Sequence, residues 1–119
     1  MTPAPAARSI SALAPIALTV GEPAGVGPEL AIKAWEALRD HSCFFWIGDP
    51  RHLPEGAVWH EIGHPSEATA IMPDALPVLR HDFAGERRYG VPDPANAQGV
   101  IDVIARAVDL VQSGAASAV

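Results

Sequence analysis

Apolar residues along this chain come in short bursts separated by glycine and proline, and the period inside each burst predicts an element. Pro15-Ile16-Ala17-Leu18-Thr19-Val20 is an apolar run stopped by Gly21. It is too short for a helix and predicts a strand buried on both faces. A Gly/Pro-rich turn follows, and a helix fits 28–40: Pro28 suits a first helical position, Glu29 suits the positive end of the helix dipole, and Leu30, Ala31, Ala34, Trp35 and Leu38 share one face. Cys43-Phe44-Phe45-Trp46-Ile47, stopped by Gly48-Asp49-Pro50, predicts a second buried strand. Strand, helix and strand together predict a βαβ unit with parallel strands and a right-handed crossover.

The middle is divided by Pro54, Pro65, Pro73, Pro77 and Pro92. Ala57 to Ile62 and Leu76 to Arg80 are candidate strands, and Pro65 to Ala70 is a candidate short helix. From Asp93, a candidate N-cap, the pattern is helical again. Val100, Ile101, Ile104, Val108 and Val111 form an apolar stripe, with Gly114 as the terminating cap. Gly99 inside this helix costs about 1 kcal/mol relative to alanine, which predicts close packing there. The run after Gly114 reads as the beginning of a further strand, so the sequence is expected to be interrupted. Residues 1–14, mostly Ala, Pro and Ser, read as a flexible leader, and 15–119 as the folded part. The predicted class is α/β, an α/β/α sandwich with a parallel or mixed sheet and helices on both faces.

Composition narrows the function. Apolar residues make up 49% of the 119 and charged residues 18%, the profile of a packed globular protein. The net charge of −6 argues against a nucleic-acid or anionic-membrane binder, both of which need a basic surface. It leaves room for a local phosphate site. Cys43 is the single cysteine, which excludes an internal disulfide framework, favours the cytoplasm, and reads as a buried strand residue rather than a nucleophile. Arg8 precedes an apolar run, yet Ser11 and Pro15 break it and no small-x-small cleavage site follows, which argues against a secretory leader. Trp35, Phe44, Phe45 and Trp46 read as core, and Glu86-Arg87-Arg88 as a solvated turn.

The chemistry-bearing candidate is the turn Gly21-Glu22-Pro23-Ala24-Gly25-Val26-Gly27-Pro28-Glu29. Glycines between a buried strand and a helix start can expose backbone N–H groups to an anion or cofactor at the carboxyl end of a parallel sheet. Neither G-x-G-x-x-G nor a Gly-Lys-Ser/Thr loop is present, and a plain strand-to-helix turn is the competing reading. This run resembles the opening motif of the 4-hydroxythreonine-4-phosphate dehydrogenase family, related to isocitrate and isopropylmalate dehydrogenases. Tyr89-Gly90 through Gly114 is similar to that family's approach to a long helix.

The resemblance implies the amino-terminal portion of a two-domain, homodimeric, cytoplasmic enzyme of pyridoxal phosphate biosynthesis. Such an enzyme oxidises and decarboxylates a phosphorylated hydroxy acid with NAD or NADP. It implies cofactor contacts at Gly21, Glu22, Pro23, Ala24, Gly25 and Gly27. It also implies a divalent metal (zinc, magnesium or cobalt) and catalytic groups carried by later motifs, with none in this chain, so that the chain alone should be inactive. Two alternatives stand beside it: a non-catalytic α/β binding module using the same loop, and a zinc peptidase through His60-Glu61-Ile62-Gly63-His64, which matches H-E-x-x-H. The second needs a helix, and Pro65 and Gly63 argue for a strand instead.

Overall fold

The computed structural model describes residues 14–119; most of the expected leader lies outside them. Four strands form one parallel sheet: β1 (Ile16–Thr19), β2 (Phe44–Gly48), β3 (Trp59–Ile62) and β4 (Leu76–Arg80), in the spatial order β1-β2-β4-β3. Three α-helices accompany them: α1 (Gly27–Leu38) between β1 and β2, α2 (Ala68–Ile71) between β3 and β4, and α3 (Ala97–Gln112) after β4. The α/β class is therefore as predicted, and among the paired strands the sheet is wholly parallel rather than mixed. After α3 the backbone returns to β1 on the side away from β2. There Ala118 forms an isolated parallel bridge with Ile16, and the Ala17 N–H donates to the Ala118 carbonyl at 2.8 Å.

Every residue of β2 is buried, with Phe45, Trp46 and Ile47 at 0% exposure. Successive strand side chains point to opposite faces, so both faces of the sheet are covered at its centre. Helices α1 and α2 meet each other through the Trp35 Nε1–H, which donates to the Met72 carbonyl at 2.8 Å. Helix α3 lies against β1 and β2. Pro77 sits within the central strand β4, but the β2 pairing begins only at Val78, so its missing N–H leaves no ladder bond unmade.

Two helix faces differ from the sequence expectation. In α1 the buried line is Pro28, Ala31 and Trp35, whereas Leu30 and Leu38 are exposed. In α3 the buried residues are Val103 and Ala107, flanked by the partly buried Val100, Leu110 and Val111; Ile101, Ile104 and Val108 are exposed. Both helices carry more apolar positions than one face can hold, and the small Ala31 and Ala107 are among their most buried residues, alongside Val103. At Gly99 an added Cβ would lie 2.6 Å from the Phe83 ring. Among the described residues no helix is long and apolar enough to cross a membrane.

Candidate functional site

Parallel strands bring all their carboxyl ends to one edge of the sheet. Here that edge gathers the glycine turn after β1, Asp49 after β2 and the long 81–93 segment after β4. Ligands of open parallel sheets bind at this edge.

The glycine turn is tightly held. Gly21 adopts φ +66°, a left-handed conformation that favours glycine. The Glu22 carboxylate accepts from the Ala24 N–H at 3.1 Å, and the Gly25 N–H donates to the Glu22 carbonyl at 2.9 Å. Pro23 and Ala24 are buried. A Cβ on Gly27 would lie 2.1 Å from the Val20 carbonyl oxygen, so Gly27 is what lets α1 start hard against the end of β1. The N–H groups of Ala24 and Gly25 are thus used inside the turn and do not form an open anion cradle. Of the expected glycine N–H groups, that of Gly25 is therefore engaged within the turn, and the crowding at Gly27 gives that glycine a strand-to-helix role.

What the turn does present is a groove. Thr19, Val20, Gly21, Gly27, Leu30 and Lys33 are among the residues that line a cavity of about 540 Å³ beside β1 and α1. That volume is within the range of small-molecule sites, and its walls are mainly apolar with one cation. Of the six residues expected to contact a cofactor, Gly21 and Gly27 line this groove, while Glu22, Pro23, Ala24 and Gly25 shape the turn beside it. A second cavity, of about 340 Å³, is lined by Glu86, Arg88, Val91, Pro92, Asp93 and Pro94.

The 81–93 segment supplies a residue that the sequence hid. Arg87, read as part of a solvated turn, has a side chain only 14% exposed. Its Nε donates to the Pro23 carbonyl at 2.6 Å, and its Nη2 donates to the Gly25 carbonyl at 3.2 Å and to the Glu29 carboxylate. Tyr89 stacks on the guanidinium, 5.4 Å from ring centre to Cζ, and the Gly90 N–H donates to the Ala24 carbonyl at 2.7 Å. An arginine inside a run of charges carries no sequence signal of this role.

Asp49, His52 and Asn96, all buried, anchor the same segment from below. The Asp49 carboxylate accepts from the Arg51 side chain and from the N–H groups of Arg51 and Phe83, and Arg51 also donates to the Phe83 carbonyl at 2.8 Å. Burial pushes the Asp49 carboxyl up, but the hydrogen bonds from Arg51 and the Phe83 N–H outweigh it and hold the pKa at about 2. A ring nitrogen of His52 lies 2.9 Å from the Gly85 carbonyl, and Asn96 accepts from the Gly85 N–H at 2.8 Å. Asp49 looked like a strand stop in sequence, and its partner Phe83 is far along the chain.

The histidine pair falls on a strand. His60 and Glu61 are successive residues of β3 and therefore face opposite sides of the sheet, and His64 caps the following 3-10 turn by accepting from the Ser66 N–H at 3.1 Å. The helical geometry that H-E-x-x-H requires is absent there. Among the described residues no three His, Cys, Asp or Glu side chains stand together as a metal site.

Comparison with known proteins bears on this arrangement. No family model matches the chain. A 4-hydroxythreonine-4-phosphate dehydrogenase from Paracoccus denitrificans is 59% identical over 105 residues, covering 88% of this chain and 31% of the relative. One from Roseobacter denitrificans is 53% identical over 107 residues, covering 90% and 33%. The chain resembles part of a 4-hydroxythreonine-4-phosphate dehydrogenase. It spans about a third of the length of these dehydrogenases. The crystal structure of a 4-hydroxythreonine-4-phosphate dehydrogenase from Burkholderia phymatum shares the fold, with TM-score 0.73 and 24% identity over 87% of this chain and 34% of that one. The match to the dehydrogenase structures is an amino-terminal one.

Proposed function

We propose that this chain is the amino-terminal, glycine-turn portion of a dehydrogenase of the pyridoxal phosphate pathway. It acts on 4-hydroxythreonine 4-phosphate or a related phosphorylated hydroxy acid, with NAD or NADP as hydride acceptor and decarboxylation after oxidation. The observation that carries this reading is the 59% identity to the Paracoccus dehydrogenase across most of the chain. The open groove that the glycine turn borders supports it. In this reading Gly21 and Gly27, with Thr19, Leu30 and Lys33, line the ligand groove, and Glu22, Pro23, Ala24 and Gly25 hold its rim. A divalent metal (zinc, magnesium or cobalt) would polarise substrate oxygens from residues other than those described here. The working enzyme would be a cytoplasmic homodimer.

The test is a chimera in which this chain replaces the matching third of the Paracoccus dehydrogenase. NAD(P)H formation from 4-hydroxythreonine 4-phosphate at a rate within tenfold of the parent is expected. The 119-residue chain alone should show no turnover, since it spans a third of such an enzyme. A folded chimera that binds dinucleotide without turnover would overturn the reading in favour of a non-catalytic binding module.

A further inference from the structure

The internal hydrogen bonds of the glycine turn are two short-range contacts accepted by Glu22. Its shape is set from outside. The Arg87 guanidinium reaches three acceptors that lie on successive pieces of the turn: the Pro23 carbonyl, the Gly25 carbonyl and the Glu29 carboxylate in the first turn of α1. The Gly90 N–H adds a fourth point at the Ala24 carbonyl. A planar fork with fixed donor directions can hold such a set, and an ammonium point charge cannot span it. The segment bearing Arg87 is in turn fixed by Asp49, His52 and Asn96.

We propose that Arg87 is the positioning residue of the glycine turn. It locks the strand-to-helix turn in one shape, so that a ligand entering the adjoining groove meets a preformed rim. The ligand half of this inference rests on the proposed function; the mechanical half does not. Because Arg87 bonds carbonyl oxygens and Glu29 rather than facing the groove, its contribution is to the ordering of the turn.

Two measurements on Arg87→Met and Arg87→Lys separate these halves. In the 119-residue chain, amide hydrogen exchange at Gly25 and Gly90 should accelerate at least tenfold in Arg87→Met, and by a smaller factor in Arg87→Lys. Exchange at Phe45, Ile47 and Val78 in the sheet should stay within twofold. Unchanged exchange in the turn, or equal acceleration in turn and sheet, would overturn the proposal. In the chimera described above, the same substitutions should raise KM for dinucleotide or substrate about tenfold with kcat within threefold. Local loosening with unaltered KM would overturn the positioning role and leave Arg87 as a structural tie. If the unsubstituted chimera has no activity, the functional reading fails, and the exchange experiment alone decides whether Arg87 sets the turn.

Discussion

Replacing Gly27 by alanine puts a methyl group where the Val20 carbonyl oxygen already stands. The added Cβ would be 2.1 Å from that oxygen and 3.3 Å from its carbon. Relief requires the end of β1 and the start of α1 to separate by roughly 1 Å, and both obstructing atoms are backbone, so no side-chain rotation helps. Overpacking of this kind costs about 1–3 kcal/mol, and the backbone case belongs at the upper end. Against it stands the ordinary gain from Gly→Ala in a helix, at most about 1 kcal/mol, together with the stiffer unfolded chain. The expected net loss is about 2 kcal/mol. Gly25→Ala is the control: its Cβ would meet the Glu22 carbonyl at 3.3 Å, which a shift of a few tenths of an ångström relieves, and its φ is not positive. It should change stability by less than about 0.5 kcal/mol. Urea unfolding followed by tryptophan fluorescence reports both, since Trp35 and Trp46 are buried. A Gly27→Ala chain as stable as the parent, or a Gly25→Ala chain equally damaged, would refute the packing argument.

Asp49 gives a pH test. Its folded pKa of about 2 lies below the ordinary 3.8, so its contribution is present above 3.8 and is lost as pH falls through the folded value. The shift corresponds to about 2 kcal/mol at neutral pH, roughly half of it lost by pH 3; Asp49→Asn should therefore destabilise most at pH 7, with the gap to the parent closing on acidification, and a constant gap in urea unfolding would contradict the assignment. Gly99→Ala should destabilise by about 1 kcal/mol despite its better helix propensity, because the new methyl meets a Phe83 ring that packs between His52 and His81. A melting temperature above the parent's would show that the ring moves aside freely.

The sequence made β1, α1 and β2 legible because each is a single uninterrupted pattern bounded by Gly and Pro. Even the proline-broken middle yielded β3 and β4, since alternating or continuous apolar runs of four or five residues have few other homes. Helix α3 was legible in extent but not in orientation. Its residues offer two apolar stripes, and the buried one is the stripe that carries Gly99 against the Phe83 ring and the small Ala107 in the core, a choice that hydrophobicity does not make. The polar anchors were least legible. Asp49, His52, Asn96 and Arg87 each look like turn or surface residues until the fold brings the 81–93 segment across the carboxyl ends of the strands.

The glycines of the turn can now be told apart by cause. Gly21 is explained by its positive φ, and Gly27 by the Val20 carbonyl that crowds its Cβ position. Both would be required in any protein with this strand-to-helix geometry, whatever it binds. Gly25 has neither explanation: its φ is ordinary, and a Cβ would find only mild crowding. A side chain there is compatible with the fold, so a requirement for glycine at 25 must come from something that approaches the turn from outside. Arg87 already takes the Gly25 carbonyl and Glu22 the Gly25 N–H, which leaves the Cα face as the surface on offer. The motif therefore divides into two glycines that build the turn and one, Gly25, that the geometry of the turn does not itself require.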